Sequence, residues 1–335
     1  MSAKKATLTD VARRAGVSVT TASYILNGRS TQMRISAETA LRVKTAMQDL
    51  DYRPNWSARN LRRSSTQTIG LISDFVASGS FSSQLLTGAS AAARECDHLL
   101  VIGESMGDRS AEELLIEEMV ERQVDGIIYA TLAASLVRVP EKLRDVRAVL
   151  LNCLDPERDL PAVLPDDRLG GQQAVAHLLA SGLTGPVHVV GEDPSPEATA
   201  GRDRMAGITA ALAEAGTSLA GVVACEWGVR PAYDAVDAWL RTGARPTALI
   251  CLNDRIAMGV YQALAEHGLA VPGDVAVISF DGSEMASWLR PRVTSLGLPF
   301  RAMGTLAVET LMSSGRRPPA GIVRLPLALQ QGESV

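Results

Sequence analysis

Four polar side chains end apolar segments in the C-terminal four-fifths of the sequence, and their positions suggest ligand binding. Asp74 ends TIGLISD, Asn152 ends AVLLN, Asn253 ends ALICLN and Asp281 ends VAVISFD. Ligands of open parallel sheets bind beyond the carboxyl ends of the strands. Amide and carboxylate groups placed there can bridge the hydroxyls of a hydroxyl-rich ligand. For each residue, the alternative is a helix N-cap that directly follows a strand.

Catalytic chemistry has no comparable signal. The sequence contains neither G-x-G-x-x-G nor G-x-x-x-x-G-K-[ST]. The histidines and cysteines are scattered, without a C-x-x-C pair or a histidine cluster. We therefore predict no catalytic residue, no metal site, no cofactor and no enzymatic activity. The scattered residues are His98, His177, His188 and His267, and Cys96, Cys153, Cys225 and Cys251.

From Thr68 onwards, short apolar strands such as TIGLIS and GIIYA alternate with amphipathic helices such as DRIAMGVYQALAEHG. This alternation predicts an α/β fold of parallel sheets with helices on both faces. The length fits two lobes, with chain crossings predicted in VLPDDRLGG and SWLRPRVTSLGLP. We expect an effector-binding and dimerisation domain over residues 67–335. Its first lobe covers about 67–164 and 296–330, and its second covers about 165–295.

The charge distribution separates the N-terminal segment from the rest of the chain. Residues 1–65 carry twelve Lys and Arg against four acidic residues, whereas the remainder carries 21 against 33. A basic segment of net charge +8 attached to a body of −12 is the distribution expected when one end neutralises DNA phosphates. The alternative is a solvated basic tail.

The pattern within residues 1–53 predicts a helix-turn-helix domain. LTDVARRA has helical apolar spacing and ends at Gly16, and TTASYILN follows after a short connection. Ser36 is placed to cap a third helix that packs beneath the other two. The second helix of such a unit enters the major groove. Residues 54–66 form a linker that is helix-compatible, rich in arginine, and too poor in apolar residues to fold alone.

Three segments resemble the lac-repressor and gal-repressor family of bacterial regulators. These are TLTDVARRAGVSVTTASYILNG, ISAETALRVKTAMQDLDYRPN and ARNLRRSSTQTIGLI, in the family's order and nearly its spacing. The resemblance implies a head followed by a hinge helix and a two-lobed sensor similar to periplasmic sugar-binding proteins. It also implies that Leu61 wedges between central base steps in the minor groove, where unstacking is offset by the contacts of a bent duplex.

The resemblance implies base contacts from Val19, Thr20 and the position of Tyr24. Family members often have arginine where this chain has Tyr24, and tyrosine lacks the fork that reads guanine. Arg29 and Arg34 lie in a connection about three residues longer than the family's commonest form, and we expect them to contact phosphates. The full set of expected DNA contacts is Thr9, Ser18, Val19, Thr20, Thr21, Ser23, Tyr24, Arg29, Arg34, Asn55, Ala58, Arg59 and Leu61. For the hydroxyl residues the alternative is ordinary helix surface.

For the effector, the resemblance implies that Arg202 is the ligand-binding arginine and that Asn253 and Asp281 are polar anchors. It implies that Trp227 stacks on a sugar face, although Trp227 could also be core. Phe75 and Phe81 are further candidates from the first lobe, with simple core as the alternative. Asp167 is interpreted as a cap. The expected effector site is therefore Asp74, Phe75, Phe81, Asn152, Arg202, Trp227, Asn253 and Asp281. Gly282 replaces the family's usual acidic residue, which leaves the ligand's identity open.

The sequence thus predicts a cytoplasmic, homodimeric repressor that binds a palindromic operator in double-stranded DNA and does not contact a membrane. A small-molecule effector, preferably a saccharide, would release it from DNA. The alternatives are a repressor activated by a purine-type corepressor and a transport-type solute-binding protein. No signal peptide is recognisable at the N-terminus, and a transport protein has no use for residues 7–63, so we favour the regulator.

Overall fold

A computed structural model describes residues 6–52, 65–77, 83–157, 159–192, 196–313 and 320–335. The chain divides into two compact units, residues 1–66 and 67–335. The first unit is the head, and the second, the sensor, contains two lobes. Among the described residues, no helix is both long and apolar enough to cross a membrane.

The head contains three helices: α1 (Leu8–Ala15), α2 (Val19–Leu26) and α3 (Ala37–Asp49). Thr7 and Asp10 form a reciprocal capping box at the start of α1, and Gly16 ends that helix with φ 64°. Ser18 and Ser36 cap α2 and α3. Val11, Ala22 and Val43 form the centre of a small apolar core that joins the three helices. The predicted tri-helical head is therefore present.

The first lobe is built on a parallel sheet in the order β11-β5-β4-β3-β1-β2. Its strands are β1 (Thr68–Ser73), β2 (Leu99–Glu104), β3 (Gly126–Leu136), β4 (Ala148–Leu154), β5 (Ala162–Pro165) and β11 (Ile322–Leu325). Its helices are α4 (Ser83–Glu95), α5 (Arg109–Glu121), α6 (Glu141–Arg144) and α12 (Phe300–Met312). The strands β4 and β5 are buried along their whole length, as expected for a sheet covered on both faces.

The second lobe has the sheet order β12-β10-β9-β8-β6-β7, in which only β12 is antiparallel within the described residues. Its strands are β6 (Val187–Val190), β7 (Gly221–Val223), β8 (Ala248–Cys251), β9 (Ala276–Asp281), β10 (Thr294–Gly297) and β12 (Ala328–Gln330). Its helices are α7 (Asp167–Ala180), α8 (Ala200–Glu214), α9 (Val229–Arg241), α10 (Asp254–Glu266) and α11 (Glu284–Trp288). The predicted α/β class is confirmed.

The chain passes between the lobes three times, once more than the sequence suggested. The first passage lies between β5 and α7 and the second between β10 and α12, close to the predicted segments. The prediction that the first lobe extends to residue 330 is wrong, because β12 pairs with β10 in the second sheet. Ser334 is buried there and bonds to the backbone of β9 and β10, where its hydroxyl donates to the carbonyl of Val277 and accepts from Thr294 N at 2.8 Å. Three residues are too short a run to show strand periodicity, so the pattern could not reveal this return.

Candidate functional sites

The N-terminal turn of α2, the second helix of the helix-turn-helix, is exposed. Ala22 and Ile25 are buried in the core of the head, whereas Val19 and Thr20, in the first turn of the helix, are exposed. Ser18 Oγ accepts from Thr21 N at 3.0 Å and lies 2.8 Å from Thr21 Oγ1. The hydroxyls of Ser18 and Thr21 therefore stabilise the end of the helix that would enter the groove. Ser23 and Tyr24 are half-buried one turn later.

Three of the remaining predicted DNA contacts lie in the described part of the head. Thr9 is exposed on α1, and Arg29 and Arg34 are exposed in the turn after α2. Arg34 has φ 53° and so fixes part of that turn in a left-handed conformation. Asn55, Ala58, Arg59 and Leu61 lie outside the described residues, as does Phe81 in the sensor.

Asp74 directly follows β1, whereas Asn152 lies within β4, two residues before that strand ends. The fold already uses much of the hydrogen-bonding capacity of both side chains. Asp74 Oδ1 accepts from the backbone N–H of Phe75 and from Leu132 N at 2.9 Å. Burial raises the pKa of Asp74 even though these N–H groups favour its charged form. Asn152 Nδ2 donates to the carbonyl oxygens of Thr131 at 3.0 Å and Leu132 at 2.9 Å. Phe75 remains partly exposed beyond β1.

Asn253 adopts the alternative role considered for it. Its Oδ1 accepts from Ile256 N at 2.7 Å, so it is the N-cap of α10. The next residue, Asp254, was not singled out from the sequence and is completely buried. Its carboxylate accepts from the hydroxyls of Ser279, Ser283 and Ser295 and from Ser283 N at 2.7 Å. These bonds fix the turn after β9, and hence the position of Asp281.

The arginine at the second-lobe edge is Arg204, and the expectation for Arg202 is wrong in position. The side chain of Arg202 is 55% exposed, whereas that of Arg204 is 2% exposed. Residues two apart on a helix face directions about 200° apart, so only one of them can point into the lobe. Arg204 Nε donates to Asp167 Oδ1 at 2.8 Å, and Nη1 donates to the carbonyl of Leu252. The cap of α7 is Asp166, so Asp167 is an ion-pair partner and not the cap predicted.

Asp281 completes a buried cluster of charges around Arg204. Its Oδ1 lies 3.8 Å from Arg204 Nη1. The pKa of Asp281 is raised to about 7, mainly by burial; Arg204 opposes this rise, and the nearby Asp254 and Asp167 add to it. Burial also raises the pKa of Asp167 against the opposing effect of Arg204. Because one guanidinium faces two carboxylates, Asp281 is incompletely neutralised and retains capacity to accept hydrogen bonds from a ligand.

Two aromatic rings complete the second-lobe site. The guanidinium carbon of Arg204 lies 4.5 Å from the ring centroid of Phe280 and 5.5 Å from that of Trp227. Both distances are within the range of cation–π attraction. Trp227 Nε1 donates to the backbone carbonyl of Glu192, which fixes the orientation of the half-buried indole. Arg204, Asp281 and Trp227 therefore form one cluster of defined geometry.

The packing around residue 282 explains why this chain has glycine where the family usually has an acidic residue. A Cβ at this position would lie 2.5 Å from Gly297 Cα and 2.4 Å from Gln330 Nε2, and its φ is 59°. The backbone of β10 and the returning strand β12 thus occupy the space that an acidic side chain would need.

The comparisons with known proteins agree with this architecture. Residues 7–55 match the model for bacterial regulatory proteins of the lacI family, and residues 175–335 match a periplasmic binding protein-like domain. The chain is 31% identical over 316 residues to the HTH-type transcriptional repressor PurR of Vibrio campbellii, covering 92% of this chain and 91% of the relative. It is 29% identical over 337 residues to the ribose operon repressor of Escherichia coli K12, covering 98% and 100%. The structure of the lac repressor dimer bound to operator and the anti-inducer ONPF superposes with a TM-score of 0.81 at 25% identity, covering 99% of both chains.

A tri-helical head followed by a two-lobed ligand domain defines a DNA-binding transcriptional regulator that responds to a small molecule. Full-length similarity to repressors makes the family assignment specific. The chain belongs to the lacI family of bacterial regulatory proteins.

Proposed function

We propose that this protein is a cytoplasmic, non-enzymatic repressor that a saccharide releases from a palindromic operator. The observation that carries the ligand class is the cluster of Arg204, Asp281 and Trp227 at the carboxyl edge of the second sheet. An arginine and a carboxylate can bind neighbouring hydroxyls, while the indole face packs against the C–H surface of a sugar ring. Relatives named as a ribose operon repressor and a CelR–cellobiose complex support this class.

The DNA contacts of this proposal come from the head. Val19 and Thr20 at the exposed start of α2 contact base edges, and Tyr24 contacts a phosphate or a thymine methyl. Arg29 and Arg34 contact phosphates. Leu61, in the linker, inserts into the minor groove at the centre of the operator. Ligand binding and DNA binding are then coupled reciprocally, so a ligand that weakens operator binding must itself bind less tightly to the DNA-bound protein.

A dimer presents two heads to a palindrome, and the sensor carries a surface suited to pairing. The strands β2 and β7 are edge strands of the first and second sheets. Leu99 is 65% exposed on β2, and Val222 is 48% exposed on β7. Exposed apolar residues on edge strands favour association with another chain. We therefore propose that the self-association face lies along these two strands. The similar lac repressor structure is itself a dimer.

A thermal-shift screen of sugars and purines against the full chain tests the ligand class. A ligand at 100 times its Kd stabilises the folded protein by about 2.7 kcal/mol. We expect a saccharide to raise the Tm of the wild type and of Arg202→Gln, but not that of Asp281→Asn. Arg202→Gln is the matched control because it changes an exposed residue one half-turn from Arg204. A shift that survives Asp281→Asn would remove the proposed site.

Measurements of operator binding then decide whether the effector releases the repressor from DNA or strengthens its binding. Fluorescence anisotropy at fixed salt should show a weaker complex when the saccharide found in the screen is saturating. A tighter complex would establish the alternative, a corepressor-dependent repressor. The 31% identity to a PurR repressor keeps that alternative open to the same experiment.

A further inference from the structure

Strand β3 is much longer than its neighbours, and one of its edges has different partners at the two ends of the strand. Its 11 residues compare with six in β1 and seven in β4. Residues up to Ala130 pair with both β1 and β4, and the register with β4 then shifts between Ala130 and Ser135. Such an irregularity bends a strand and redirects the residues beyond the bend. Beyond the irregularity, Ser135 and Leu136 still pair with Cys153 and Leu154 of β4, whereas pairing with β1 has ended at Ala130. The other edge of this part of β3 faces the second lobe.

Residues Ala134–Leu136 meet Glu197–Thr199 of the second lobe, and we call this pairing the latch. Leu136 N donates to Glu197 O and Thr199 N donates to Ala134 O, both at 2.8 Å. Ser135 and Ala198 face each other as an isolated antiparallel bridge. Ala134, Ala198 and Thr199 are buried. The two lobes are thus joined by backbone hydrogen bonds that require no ligand.

Asn152 holds the irregular part of β3 that aims the latch. Its two donor bonds go to the carbonyls of Thr131 and Leu132, and the hydroxyl of Thr131 donates back to Asn152 O at 2.8 Å. Asn152 has φ 61°, a conformation that asparagine tolerates better than most residues. An amide can supply the two N–H donors that these two carbonyls need, which a carboxylate cannot.

The latch is connected to the ligand groups of both lobes. Leu132 N, in the segment held by Asn152, donates to Asp74 Oδ1. Thr199 directly precedes α8, the helix that carries Arg204. A change at the latch would therefore affect candidate ligand-binding groups in both lobes.

We propose that Asn152 is a positioning residue whose role is to build the latch, and that the latch keeps the lobes together before any effector binds. Its consequence for control rests on the proposed function: an effector binds a cleft whose lobe spacing is already set. Effector affinity then depends on the fraction of molecules in which the latch is formed.

Cysteine cross-linking of the full chain tests the latch without effector or DNA. The hydrogen bonds flank Ser135 and Ala198 as a non-hydrogen-bonded pair, whose Cα atoms are typically about 4.5 Å apart, within the range of a disulfide. In a Cys96→Ser background, Ser135→Cys with Ala198→Cys should form a disulfide under mild oxidation at least about tenfold faster than Ser135→Cys with Glu197→Cys. The control pair is shifted by one residue, so its second side chain points to the other face. Equal rates would overturn the latch.

Hydrogen exchange tests the role of Asn152. Peptides containing Leu136 and Thr199 should exchange slowly in the ligand-free wild type and about tenfold faster in Asn152→Asp, which keeps the shape but loses the donors. Ser135→Ala, which removes only a bond to Ala133 O, should leave exchange unchanged. Peptides of β8 and β9 report whether the fold is intact. Unchanged exchange at Leu136 and Thr199 in a folded Asn152→Asp protein would refute the positioning role, and the cross-linking result stands independently if that variant does not fold.

Discussion

Replacement of Arg204 by methionine should destabilise the sensor strongly, although the methionine side chain fills most of the space that the arginine occupies. The guanidinium is buried, pairs with Asp167 at 2.8 Å, lies 3.8 Å from Asp281 and contacts Phe280. Methionine fills much of the same volume but removes the cation that pairs with Asp167 and faces Asp281. Breaking a buried ion pair by removing one partner costs about 3–5 kcal/mol. A loss of this size is a large part of the stability of an ordinary domain.

Urea unfolding of the full chain, followed by circular dichroism, measures this cost. Arg202→Met is the matched control, because it makes the same substitution two residues away on an exposed side chain, and it should change the unfolding free energy by less than about 0.5 kcal/mol. Adding Asp167→Asn and Asp281→Asn to Arg204→Met should recover much of the loss, since the uncompensated charges are then absent. A cost for Arg204→Met below about 1 kcal/mol, with an unchanged m-value, would refute the ion-pair account.

Three other perturbations have outcomes set by the described contacts. The pKa of Asp281 is raised to about 7 in the folded protein, so the folded state binds more protons than the unfolded state between about pH 4 and pH 7. The unfolding free energy should therefore fall as pH rises through that window, and urea titrations should show a smaller dependence on pH in Asp281→Asn. Gly282→Asp should lower the unfolding free energy by about 1–3 kcal/mol, because it combines φ 59° with a Cβ 2.5 Å from Gly297 Cα. Calorimetry should show a smaller loss of stability for Gly268→Asp, where φ is 70° and the space is open. Equal losses would mean that the backbone conformation alone is responsible. Ser18→Ala and Ser36→Ala each remove an N-cap that stabilises its helix by about 1 kcal/mol. Only Ser18→Ala should weaken operator binding beyond its effect on stability. Equal losses of binding in anisotropy titrations would argue against α2 as the helix in the groove.

The periodic parts of the chain were predictable because their burial is regular. The three head helices follow from apolar spacing and capping residues, and strands such as β1, β3, β4, β8 and β9 follow from short apolar runs. The polar residues at strand ends were harder to assign. Asn253 shows why: a strand-to-helix junction requires an N-cap whether or not a ligand is present, and its Oδ1 bonds to Ile256 N.

Features that depend on contacts distant in sequence could not be predicted. Whether Arg202 or Arg204 faces the lobe depends on the rotation of α8, which is fixed by its packing and not by the segment's composition. Asp254 looks like an ordinary first-turn acid, and its burial becomes apparent only when Ser279 and Ser295 are brought to it from two other strands. The return of β12 and the bend in β3 are likewise products of tertiary pairing.

The selectivity of the full chain for DNA tests the central claim most directly. Duplexes selected from a random library should yield a palindromic site that the wild type binds at least about 1,000-fold more tightly than random duplex at physiological salt. The preference should decrease in Leu61→Ala and should change when the effector is saturating. If the wild type binds selected and random duplexes equally, with and without effector, then the protein is not a ligand-controlled regulator of transcription.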